Sequence, residues 1–265
     1  MPAGGTGVRA TRSPRPAVRG YRSRMNVSAT QSSDDLALTA VVKDAARRQL
    51  AQHGASGLSL DAVARGGGLD VSAVEALFPH RDDLLTALVV DAYDASGAAM
   101  EQADRAAADA GAPAGARLLA VARALRGWSF AHPAEFTLIY GSPVPGYHAP
   151  QDTVPPASRT PAVLAGILRS ALEGGELTPP RRTLPGPSLL RPEALALFGG
   201  APPAPFSDIV ERGIALWSSL IGLLVFQVFS RTHDSVRDEA AYFDQAVAVT
   251  AETVGLVVPL GEGDR

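Results

Sequence analysis

Apolar residues recur at three- and four-residue intervals over most of this chain, the period of a helix with one buried face. Val41, Val42, Ala45, Ala46 and Leu50 open the pattern, and Gly54 supplies a stop. Ser59 then suits the N-cap of a short helix holding Leu60, Val63 and Ala64, which Gly66-Gly67-Gly68 breaks. Asp70 suits the cap of a second short helix carrying Val71, Val74 and Leu77, closed by Phe78-Pro79. A longer helix opens at Arg81-Asp82-Asp83, where the acidic pair complements the positive end of the helix dipole, and runs to about residue 109. Two short helices about a glycine-bearing turn, set between longer ones, form a helix-turn-helix.

The same periodicity predicts helices from about Ala114 to Ala131, from Pro133 to Tyr140 and from Thr160 to Glu173. Pro-rich segments at 141–157 and 174–206 read as loop, with a helical turn or two near Arg191–Phe198. Two strong helices close the chain: one capped by Ser207-Asp208 and reaching about Arg231, one capped by Ser235 and reaching about Val257. The first is apolar nearly all round, which marks burial on more than one side and suits a second copy of the chain. The fold class that follows is all-α. A disordered arm spans 1–38, a helix-turn-helix head 39–84, a helical-bundle half 85–258 and a tail 259–265.

Composition narrows the chemistry. Cys is absent and the five His are scattered, so disulfides, thiolate chemistry and zinc sites have no support. No phosphate-binding glycine loop or nucleophile elbow occurs, and an enzyme is not expected; neither is a cofactor. The formal charge is −3, so any nucleic-acid contact needs a local basic patch. The apolar run Ile214–Phe229 falls short of a membrane span, and residues 1–24 lack the apolar core of a secretory signal, which points to the cytoplasm. Six arginines between Arg9 and Arg24 make the arm basic. It reads either as a DNA-touching arm or as a solvated tail ahead of a true start at Met25.

Asp44–Gly54, Gly57–Arg65 and Phe78-Pro79-His80-Arg81-Asp82-Asp83-Leu84-Leu85 together resemble the DNA-binding head of the TetR family of bacterial regulators. Trp128-Ser129-Phe130-Ala131-His132-Pro133 and Tyr140–Tyr147 resemble the tryptophan–histidine–glycine C-terminal domain of one TetR subgroup. The resemblance implies a homodimer through residues 207–257, a palindromic double-stranded DNA operator and a small-molecule effector. It implies DNA contacts from Ser59 and Arg81, with Lys43 and Arg65 as further cations. The second short helix offers Val71, Ser72, Ala73, Glu75 and Ala76 to the major groove. Glu75-Ala76-Leu77 departs from the aromatic and basic residues that the family places there, and a carboxylate near phosphates is repelled. Two functions follow: a repressor released by an apolar or amphipathic ligand, or a ligand-binding or protein-interaction module that has lost DNA reading. Trp128, His132, Phe136, Tyr140, Trp217 and Phe226 are candidates to line a pocket, with ordinary core packing as the competing role for each.

Overall fold

The computed structural model describes residues 33–182, 184, 188–232 and 235–261. Helix α1 spans Ser33–His53, so it begins inside the segment expected to be a disordered arm, with Asp34 and Asp35 in its first turn. The arm's six arginines lie outside the described residues. The described residues from Thr39 onward form one compact unit that contains both the head and the regulatory half.

The head follows its sequence punctuation. Gly54 ends α1 at a positive φ of 67°, donating its N–H to the Leu50 carbonyl. A short 3₁₀ turn, Ala55–Gly57, leads to α2 (Leu60–Gly67), where the Ser59 hydroxyl accepts from the Ala62 N–H at 3.2 Å. Gly68 closes α2 in the left-handed region, and α3 (Val71–Leu77) follows. Asp70 occupies its N-cap position, but its side chain makes no capping hydrogen bond. Val42, Ala45, Ala46, Leu58, Val63, Val74 and Phe78 bury the head's core. Then α4 (Arg81–Asp109) leaves the head and runs through the regulatory half. The His80 N–H donates to the Asp83 carboxylate at 2.9 Å, fixing its first turn.

Around α4 pack α5 (Ala114–Ala131), α6 (Pro133–Tyr140) and α7 (Val154–Glu173). Helix α7 starts six residues before the expected Thr160. Pro155 and Pro156 stand in its first turn, where a missing N–H costs no helical hydrogen bond. A strap, residues 141–153, ends in the short 3₁₀ turn Gln151–Thr153. Helix α8 (Pro192–Phe198) matches the helical turns expected there. The closing pair is shorter than expected. Helix α9 spans Ile209–Val228 and α10 spans Glu239–Ala251, with a 3₁₀ turn to Val254. Ser230 at φ 52° interrupts the path towards Arg231. The cap of α10 is Asp238, which accepts from Ala240 and Ala241, while Ser235 bonds back to Thr232. The regulatory core centres on Phe136, Leu118, Leu125, Ile167, Leu224 and Phe243.

Beginning at Ile209 makes α9 20 residues long, and an 18-residue stretch of it has a mean hydropathy of 1.7. The expectation that this apolar stretch is too short to cross a bilayer therefore falls on length and composition. One face of α9 packs on α5, α6, α7 and α10.

After α10 the chain turns back into the core. Leu256 and Val258 are buried, and the Thr178 N–H donates to the Gly255 carbonyl at 2.8 Å. Gly115 lies so close to this segment that a Cβ there would stand 1.9 Å from the Val257 carbonyl oxygen.

Candidate DNA-reading head and effector cleft

Helix α3 packs on α2 through Val74 and leaves Ser72, Glu75 and Ala76 exposed, with Val71 and Ala73 half-buried. These five residues therefore share the outer side of one short helix. Their side chains offer a hydroxyl, a carboxylate and three small apolar groups.

Most cations of the head have partners inside the protein. The Arg81 guanidinium donates to the carbonyls of Leu58 (3.0 Å) and Ala55 (2.8 Å), and reaches Asp82 at 3.3 Å. It thus ties the start of α4 to the connection between α1 and α2. Lys43 and Arg47 share the Asp91 carboxylate of α4, at 2.8 and 2.9 Å. Arg47 also pairs with Asp44 and lies 3.8 Å from Glu135 of α6, which His132 approaches at 3.9 Å. Arg48 donates to the Gly66 carbonyl and Arg65 to the Asp61 carbonyl, both at 3.3 Å. Residues 39–84 hold five Lys and Arg against six Asp and Glu. The head is an acidic-leaning surface whose positive groups mostly hold it together.

The six aromatic and His candidates do not meet in one cavity. Phe136 is fully buried, and Trp128 is buried with its indole N–H unpartnered. His132 lies outside on the α5–α6 corner, its ring 5.7 Å from that of Trp128. Tyr140 stacks against Phe136 (5.3 Å), Tyr93 and Trp217 (both 6.1 Å). Burial pushes its hydroxyl up to about 12, so it stays neutral, and it bonds Thr160 at 3.3 Å. Trp217 lines a tight apolar cavity of about 100 Å³ between α7, α8 and α9. Phe226 and Tyr140 line a separate open cleft of about 900 Å³ beside the end of α1.

A further cleft of about 490 Å³ lies between the strap, α4, α6 and α7. Its residues Tyr93, Tyr147 and Thr153 were not among the sequence candidates. Tyr147 sits in the Tyr140–Tyr147 stretch that carried the resemblance. Its hydroxyl and that of Thr86, in the second turn of α4, are 3.0 Å apart.

A helix-turn-helix head continuous with an all-helical regulatory half defines a transcription regulator of the helix-turn-helix class. Comparison with known proteins agrees. Residues 118–250 match the family described as tetracyclin repressor-like, C-terminal domain. An HTH-type transcriptional regulator of Mycobacterium tuberculosis is 36% identical over 222 residues, covering 81% of this chain and 93% of the relative. A regulatory protein of known structure superposes with a TM-score of 0.61 at 30% identity, over 82% of this chain and 96% of its own. A tetR-family regulator from Rhodococcus RHA1 shares the fold at 16% identity, with a TM-score of 0.57 over 83% of this chain and 98% of its own. The chain belongs to the TetR family of transcriptional regulators. The description of that family names a C-terminal domain and makes no reference to a tryptophan–histidine–glycine motif.

Proposed function

We propose that this regulator is a cytoplasmic homodimeric repressor that reads a palindromic operator and is released by a small, largely apolar molecule. The observation that carries the DNA reading is the exposed face of α3, where Ser72, Glu75 and Ala76 stand clear of the head's core. Ser72 bonds a base or phosphate, Val71 and Ala73 pack on thymine methyls, and Glu75 accepts from cytosine N4. Ser59 and the N–H groups at the start of α2 face a phosphate. Because Lys43, Arg47 and Arg81 are engaged internally, the basic arm supplies most of the phosphate attraction.

Dimerisation is supported by the solvent face of the closing helices. On α9, Ile214, Ser218, Gly222 and Phe226 stand in an exposed row, and α10 adds Tyr242 and Val249. A second copy covers this mixture of apolar and small residues and sets two α3 helices about one DNA turn apart. The similarity to the HTH-type transcriptional regulator of Mycobacterium tuberculosis counts against the other reading, a module without DNA recognition.

Gel-shift titration with the chain's own upstream DNA tests the proposal. Specific binding is expected, weakened by Ser72→Ala and by removal of residues 1–24. The second effect should also flatten the dependence of affinity on salt. Absence of specific binding by the full chain at low salt overturns it.

A further inference from the structure

The geometry points to the cleft under the strap as the site of an uncharged aromatic molecule bearing a hydroxyl, with the Tyr147–Thr86 contact as the element that reports its arrival to the reading head. The inference rests on the effector reading above and names the chemistry of its ligand.

The cleft's size, about 490 Å³, is that of a small-molecule site. Its walls are Val89 and Tyr93 from α4, Leu138 from α6, Ala157 and Pro161 from α7, and Tyr147 from the strap. Among the described residues no Asp, Glu, Lys or Arg lines it. A carboxylate or ammonium entering there loses water and gains no counter-charge, so a neutral ligand is selected. Burial and the neighbouring Tyr147 raise the Tyr93 hydroxyl above its ordinary value, so it stays a neutral donor and acceptor. That hydroxyl makes one long bond, 3.4 Å, to the Ile139 carbonyl, which leaves its lone pairs for a ligand hydroxyl. The Tyr93–Tyr140 pair, edge to face at 6.1 Å, gives the site an aromatic wall behind.

The route to the head is short. Tyr147 holds the strap on Thr86, and Thr86 lies one turn and a half beyond Arg81, which grips the Ala55 and Leu58 carbonyls. A ligand that displaces the strap frees the second turn of α4 to tilt, and Arg81 carries the tilt into the head. Only differential binding to the two tilts does this work.

Isothermal titration of the full chain with 1-naphthol and with 1-naphthoate, a neutral probe and an anionic one of similar shape, tests the site. Naphthol is expected to bind, and naphthoate about tenfold or more weakly. Ala157→Trp, which fills the cleft from α7, abolishes naphthol binding. Tyr93→Phe weakens it about fivefold and serves if the tryptophan variant does not fold. Equal affinity for both probes, no binding of naphthol, or naphthol binding that survives the folded Ala157→Trp protein or is unchanged in Tyr93→Phe overturns the site. Thr86→Val, outside the walls of the cleft, keeps naphthol binding within about threefold but removes the probe's effect on operator affinity; an unchanged effect overturns the reporting role. Naphthol bound in the cleft with operator affinity unaltered in the parent chain removes the effector reading and leaves the cleft. Operator release by a molecule indifferent to Ala157→Trp does the reverse.

Discussion

The two halves of this regulator are held together by different physics. In the regulatory half, large side chains such as Phe136 and Phe243 are wholly buried, and stability comes mainly from apolar area removed from water. The head has a small core of Val, Ala and Leu with the single aromatic Phe78, and much of its cohesion is polar: Arg81 on two carbonyls, Lys43 and Arg47 on Asp91. Apolar packing is non-directional and strong in sum. Charged hydrogen bonds are directional and fewer, so a small number of replaceable contacts fix the angle of the head to α4.

The contrast is open to attack, beginning with the regulatory core. Phe136→Ala should cost about 3–5 kcal/mol, read as a lowered urea midpoint for the whole chain. Arg81→Met should cost about 2 kcal/mol, felt as faster amide exchange over residues 55–77 and loss of operator binding, with exchange in α5 and α7 little changed. If both halves respond alike to Arg81→Met, the distinction between them fails. The polar knot at the start of α9 gives a pH test. Arg212 bonds Asp208 at 2.8 Å and, with help from the Leu184 N–H, holds its carboxyl below the ordinary range against the effect of burial. That stabilisation is fully present above about pH 4 and is lost as the pH falls through the lower folded value. The stability gap to Asp208→Asn should therefore be about 1 kcal/mol at neutral pH and close in acid. Smallest, Asp91→Asn should cost about 0.5 kcal/mol, vanish at high salt and still alter operator affinity measurably, because it frees Lys43 and leaves Arg47 held by Asp44 alone at close range.

Much of the fold was legible because glycine, serine and proline mark its turns. Gly54, Ser59, Gly68 and Pro79 bound the head's helices, and Pro133 opens α6. The start of α7 was not legible, since Pro155 and Pro156 read as loop although a first turn tolerates both. The cap of α10 was misplaced because Ser235 and Asp238 are equally suitable by type, and only Asp238 meets free N–H groups. At the site, the outward side of α3 follows from helical spacing alone. What holds Arg81, Lys43 and Arg48 does not, because their partners lie 18 to 48 residues away. The strap cleft was hidden for the same reason: Tyr93 and Tyr147 come together only through the path of residues 141–153.

The tucked segment after α10 has a consequence for how the protein is made. Leu256 and Val258 seal the start of α5, yet they are translated after every helix they cover. During synthesis the head can close on local contacts, while the regulatory bundle waits with an apolar seam open until these residues emerge. A nascent chain stalled before Gly255 would then carry an assembled reading head on an unsealed body, a target for chaperones and proteases rather than a working regulator.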